Sequence, residues 1–241
     1  MCFSASASFL AAAALTPVGL ISVAIAQQQV EQRNIPLACT PLLFAAQQTL
    51  EGLIWLTLRQ QSPAWELRPL ALVYLGFAYA LWPIWIPWCA LRVAASQLAQ
   101  AQRLVMQGLW GLGWLLAAVL WVPLLLDPGL VNPTVHQGSI DYGVHPSWAD
   151  PGRQELLTFL YAVIICVPLW LPPNQRLRWL GLVLAASFAI AHLAFVYAFS
   201  SVWCYFSAVL SMLVIWIVQS DDPGQVREQE PRAATTGDKA A

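Results

Sequence analysis

Glu51, His192, Cys2 and Cys204 are the residues of this chain best suited to bind or react. Each is an ionisable or nucleophilic group inside, or at the edge of, a long apolar stretch. Glu51 is the one carboxylate well inside such a stretch, and a carboxylate in hydrocarbon must face a protein interior or water. Gln47, Gln48, Glu51 and Trp55 recur at spacings of three and four. On a helix that spacing draws them into one polar stripe, in which Gln47 or Gln48 could donate a hydrogen bond to Glu51. The stripe offers a ligand, proton or metal site, or else a protonated Glu that ties neighbouring helices together. His192 is the one histidine inside an apolar stretch, where an imidazole serves as a packing residue or as a ligand. Cys204, Ser207 and Ser211 share a second helical face by the same spacing.

Thiolate, imidazole and carboxylate are the groups that zinc or copper accepts. Cys2, Glu51, His192 and Cys204 are therefore a candidate set for a transition metal. The same groups would supply a Cys–His pair for covalent catalysis, with Cys2 or Cys204 as nucleophile and His192 as base. Removal of the initiator Met would leave Cys2 as the N-terminal residue, with thiol and amine together. Cys2 and Cys204 could instead form a disulfide if their α-carbons come within about 7 Å. Gln47, Gln48, Glu51, Trp55, His192, Tyr205 and Ser207 form the candidate ligand-binding set. Cys39, Cys89 and Cys166 read as packing residues. His136, Asp141, His145 and Asp150 match no standard zinc spacing and read as a solvated loop.

The elements that must position these groups follow from composition. The chain is 59% hydrophobic and 10% charged over 241 residues, whereas a soluble domain carries about 25% charge. Lipid accepts the missing polar surface, so the chain reads as an all-α, polytopic transmembrane bundle. A net charge of −1 gives no support for nucleic-acid binding, and no P-loop, dinucleotide fingerprint or paired CxxC motif is present. Seven segments have the length and hydrophobicity of spans: 5–26, 38–58, 69–91, 104–126, 155–171, 179–199 and 201–219. The last two form one uncharged run, and its length places a break near Ser200-Ser201.

Charge sets the orientation. With the N-terminus outside, the inner segments carry Arg33, Arg92, Arg103, Arg176, Arg178, Arg227, Arg232 and Lys239, eight residues against Arg59, Arg68 and Arg153 outside. The positive-inside rule therefore favours N-out, C-in. Ala24-Ile25-Ala26 resembles a signal-peptidase site, but no basic residue precedes the first apolar segment, and its removal would reverse the charge bias. The first segment is therefore read as a span. Residues 127–154 form a long outer loop, read as turns that could serve as a lid or binding element. The polar tail 220–241 reads as a disordered cytoplasmic end. Glu51 and His192 each lie about seven residues from the expected outer end of a span, which would put both ~10 Å below the boundary. Pro83 and Pro87 should kink the third span, and Trp82, Trp85 and Trp88 fit an inner aromatic belt. Gly108, Gly111 and Gly113 would let the fourth span pack closely.

Three motifs now carry a resemblance. Met1-Cys2-Phe3-Ser4 opens the chain, Gln47-Gln48-x-x-Glu51-Gly52-x-x-Trp55 lies in the second span, and Trp203-Cys204-Tyr205-Phe206-Ser207-Ala208 lies in the last. Together they resemble a family of small bacterial multi-pass membrane proteins of unknown function that begin Met-Cys-Phe-Ser. The resemblance covers about residues 1–219 and implies a bacterial inner-membrane location. It implies no substrate, cofactor or mechanism. The expectation for function is a lipid-embedded bundle that binds a small molecule or metal in its outer half, in a sensor or redox role. The alternatives are an intramembrane enzyme with a Cys/His pair, a transporter or proton pathway, and a structural subunit of a membrane complex.

Overall fold

A computed structural model describes residues 4–29, 32–136, 138–144, 150–194 and 199–219. The described chain is almost entirely helical. Its long elements are α1 (Ala5–Gln28), α3 (Thr40–Arg59), α4 (Ala64–Leu75) with α5 (Trp82–Val93), α6 (Gln100–Leu126), α7 (Pro151–Trp170), α8 (Gln175–Ala194) and α9 (Phe199–Leu210) with α10 (Leu213–Gln219). A single-turn helix, α2 (Ile35–Ala38), precedes α3.

Among the described residues, six helices are long and apolar enough to cross a membrane: Ala5–Gln28, Ala64–Val93, Gln100–Leu126, Gly152–Trp170, Gln175–Ala194 and Val202–Gln219. The expected second span is the one that falls short on composition. At 20 residues α3 has the necessary length, about 30 Å at 1.5 Å per residue, but it carries the polar stripe. It packs along α1, α4 and α9, which supply the protein contacts its polar side chains require. Gly52 permits the close approach to α1: a Cβ there would lie 2.7 Å from the Phe9 ring. Ser22 and Thr16 on α1, and Thr49 on α3, return their hydroxyls to carbonyls of their own helices, so these groups stay satisfied in an apolar setting.

The third pass is longer than expected, at 64–93 rather than 69–91. Its middle, Gly76–Leu81, is a π-helical turn in which the Trp82 N–H bonds back to the Phe77 carbonyl. Pro83 follows directly and has no N–H to give to the turn before it, so a shift in the ladder at this point is the expected accommodation. Gly113 on α6 crosses here, and a Cβ at Gly113 would sit 2.0 Å from the Pro83 carbonyl oxygen. Gly108 and Gly111, on the same helix, meet nothing within 4 Å. The expectation of a three-glycine packing face therefore reduces to Gly113.

The break between the last two passes also needs correction. Ser200 and Ser201 lie within α9. The chain nevertheless reverses, because Phe188 on α8 and Trp203 on α9 meet edge to face at 5.2 Å, whereas fifteen residues of continuous helix would separate them by ~22 Å. Residues 195–198, between α8 and α9, lie outside the described residues. A second interruption at Ser211-Met212 separates α9 from α10.

One end of the bundle gathers the arginines of the expected inner side, and they act on helix C-termini. Arg178 donates from Nε to the carbonyls of Trp170 and Pro172 at the end of α7. Arg176 donates to the Trp216 carbonyl and lies 4.7 Å over the Trp216 ring. Arg103 donates to the Ala95 carbonyl just beyond α5. Each places a cation where a helix exposes unsatisfied carbonyls.

At the other end the long loop is more ordered than a run of turns. It contains a 3₁₀ turn (Pro128–Leu130) and an antiparallel hairpin of β1 (Thr134–His136) and β2 (Ser139–Asp141). Val131, Ser139, Ile140 and Tyr142 are buried against the bundle, and β2 packs on α9. The Arg68 guanidinium donates to Asn132 Oδ1 at 3.1 Å, which ties the loop to α4. The loop therefore closes this end of the bundle.

Candidate functional site

Gln47, Gln48 and Glu51 are completely buried, and Trp55 is 4% exposed. The expected stripe therefore exists as one face of α3 turned into the bundle. At its lower edge the Gln47 carbonyl is satisfied: Trp82 Nε1 donates to Gln47 Oε1 at 2.8 Å, and the Trp82 ring stacks on Phe44 at 3.8 Å. Trp82 is accordingly a core residue at 3% exposure, not part of an interfacial belt. It is drawn inward because Gln47 offers the acceptor that a buried indole needs. Trp85 behaves similarly, donating to Thr40 Oγ1 at 3.1 Å.

The upper part of the stripe is different. Neither amide atom of Gln48 has a hydrogen-bond partner among the described residues, and neither does Trp55 Nε1. Gln47 Nε2 lies beside the Cys204 thiol without reaching hydrogen-bonding geometry. In a bilayer each unmet polar group costs several kcal/mol, since no water competes. Gln48 is therefore a poor choice as structural glue between helices.

Two tyrosines complete the surroundings, and sequence reasoning missed both. Tyr74 on α4 and Tyr142 from the loop are buried and stack at 4.7 Å with their rings 11° apart. Tyr74 lies within electrostatic reach of Cys204, Glu51 and Tyr142. Burial pushes the Tyr142 phenol well above its ordinary range, with the neighbouring Glu51 as the next contribution. Trp55, Tyr74, Tyr142 and Cys204 belong to one packed apolar cluster with Ala5 of α1. The site thus draws on α3, α4, α9 and the loop. Only the α3 residues carry a local periodicity that could have revealed it. Tyr74 reads as one more aromatic in an apolar run, and Tyr142 as a loop residue.

The remaining candidates fall as follows. Cys204 is buried, has no disulfide partner among the described residues, and borders Gln47, Glu51 and Tyr74. Ser207 is buried one turn further along α9, and Tyr205 is half-buried. His192 is half-buried on α8, where it stacks on Phe188 of its own helix at 6.0 Å. Phe188 is level with Trp203, so His192 lies one turn, ~6 Å, further out. Cys2 lies outside the described residues, and with it the expected disulfide to Cys204. Among the described residues no group of three His, Cys, Asp or Glu side chains gathers to hold a metal ion. In the loop, Asp141 accepts from the Gly143 N–H and Asp150 pairs with Arg153, both ordinary loop roles, while His145 lies outside the described residues.

Below the stripe is a cavity between α3, α5, α7, α8 and α9. Trp82 and Cys204 form its upper wall, and Leu37, Thr40 and Val214 reach its far end near the arginine-rich side. No curated protein and no solved structure matches the chain. Residues 1–229, which include all three motifs and the whole helical region, match a family of unknown function, DUF6629, and the chain belongs to that family.

Proposed function

We propose that this multi-pass membrane protein binds a small ligand through the upper part of the α3 stripe, with Gln48 and Trp55 as hydrogen-bonding groups and Glu51 as the charge-determining group. Tyr74 and Tyr142 supply aromatic walls, and the loop 127–144 covers the site. With the arginine-rich end in the cytoplasm, the site lies in the outer half of the bundle. The observation that carries this reading is the burial of Gln48 with its amide nitrogen and oxygen both unmet by the described residues. A glutamine retained for helix association would spend its amide on a neighbouring helix, as Gln47 does on Trp82. A glutamine retained for a ligand keeps its amide for that ligand.

Native mass spectrometry of the purified protein, released gently from membrane, tests the reading. The expected result is a bound compound of defined mass on the wild type that is absent from Gln48→Met. Wild type and Gln48→Met spectra that both show only the bare chain would overturn it.

A further inference from the structure

We infer that the cavity between α3, α5, α7, α8 and α9 is a binding site for an apolar diatomic gas of the size of dioxygen, taken up from the bilayer. The site is separate from the polar stripe, since none of Gln47, Gln48, Glu51 and Trp55 lines it. It stands or falls independently of any ligand at Gln48.

The cavity exists because one face of α9 is small. Cys204, Ser207 and Ser211 recur at spacings of three and four and so share a helical face. All three line the cavity, and larger side chains of the other helices, among them Phe44, Ile165 and Leu184, complete its walls. These six residues are buried. The short side chains on α9 leave a space that the larger ones do not close.

Size limits the occupant. The cavity volume is about 40 Å³. One water-sized sphere needs roughly 10–15 Å³, whereas a cavity of roughly 150 Å³ holds benzene. A diatomic molecule therefore fits, and a ring does not.

Polarity limits it further. Most polar groups on the walls spend their hydrogen bonds elsewhere. Trp82 donates to Gln47, Tyr161 to the Ala78 carbonyl and Ser211 to the Ala208 carbonyl, while Thr40 accepts from Trp85. An ordered water needs two to four polar partners, so these walls hold water poorly. An empty void forfeits the dispersion contacts of its lining, and a small apolar guest restores them. Apolar gases dissolve better in hydrocarbon than in water, so the bilayer supplies such a guest at the surface of the bundle.

Methyl NMR of the full chain in nanodiscs tests the inference, with dioxygen as paramagnetic probe and xenon as diamagnetic competitor. Under dioxygen pressure the methyls of Ile165 and Leu184 should relax as fast as those of the exposed Leu115 and Leu193. They should relax faster than those of Leu15 and Leu75, which are buried away from the cavity. Xenon added at constant dioxygen pressure should remove the enhancement at the cavity methyls and leave it at Leu115 and Leu193. Filling the cavity with Ser207→Leu should abolish the cavity enhancement as well. Ser207→Val takes its place if leucine prevents folding, and if neither variant folds the wild-type competition decides alone. Cavity methyls that relax like Leu15 and Leu75 would overturn the inference. So would an enhancement that xenon leaves in place, or one that a folded Ser207 variant retains. A nuclear Overhauser effect from water to the cavity methyls would overturn it too, by showing that the space is hydrated.

Discussion

Replacing Gly113 by alanine adds one methyl group to α6, and the structure fixes where it must go. The new Cβ would lie 2.0 Å from the carbonyl oxygen of Pro83, about 1 Å inside the closest approach that real Cβ atoms show. The obstacle is backbone, so no rotamer change relieves it. It also sits in a stretch bounded by Pro83 and Pro87, where φ is fixed and adjustment is limited. Overpacking of this kind costs about 1–3 kcal/mol. The same substitution at Gly111 meets open space and should gain from alanine's helix preference, up to about 1 kcal/mol. Gly113→Ala should therefore be less stable than Gly111→Ala by about 1–4 kcal/mol, summing those two effects. Reversible unfolding in mixed micelles, followed by tryptophan fluorescence, measures the difference, with Gly108→Ala as a second control. If Gly113→Ala unfolds together with the two controls, the crossing of α5 and α6 is placed wrongly.

Two further perturbations address the site. Trp82→Phe keeps the stack on Phe44 but leaves the buried Gln47 carbonyl without its donor, which should cost about 1–3 kcal/mol in the same unfolding assay. Trp85→Phe, which frees the buried Thr40 hydroxyl, a rotor able to turn to another partner, should cost less, and equal losses would contradict the role given to Gln47. The Tyr142 phenol is raised by burial, so its contribution is complete below the ordinary phenol value of about 10 and is lost as pH rises through the raised value. Tyr142→Phe should therefore keep the 127–144 segment protected from subtilisin at alkaline pH where the wild type becomes cleavable. Identical pH profiles would mean that Tyr142 does not anchor the loop.

The parts of this fold that were legible in the sequence are those carried by composition and by spacing along one element. The apolar runs gave the helices within a few residues, and the three- and four-residue spacing of Gln47, Gln48, Glu51 and Trp55 gave the buried face of α3. Features that depend on two elements meeting were not legible. Nothing near Gly113 distinguishes it from Gly108 and Gly111, because the difference is the Pro83 carbonyl on another helix. Trp82 sits beside prolines near a charged end, as a belt residue would, and its inward turn depends on an acceptor thirty-five residues away. Tyr142 joins Tyr74 only because the loop folds back over the bundle. Ser200 and Ser201, where length placed a break, lie within α9 instead, since an uncharged run offers no marker beyond length.

The central claim is that the upper stripe of α3 serves a ligand and not the packing of helices. The most direct test is the unfolding free energy of ligand-free Gln48→Met against the ligand-free wild type. Methionine keeps the volume and length of glutamine while removing two polar atoms that have no hydrogen-bond partner among the described residues. The account predicts a variant at least as stable as the wild type, by up to about 1–3 kcal/mol. A loss of stability of that size would show that Gln48 holds helices together, and would contradict the account.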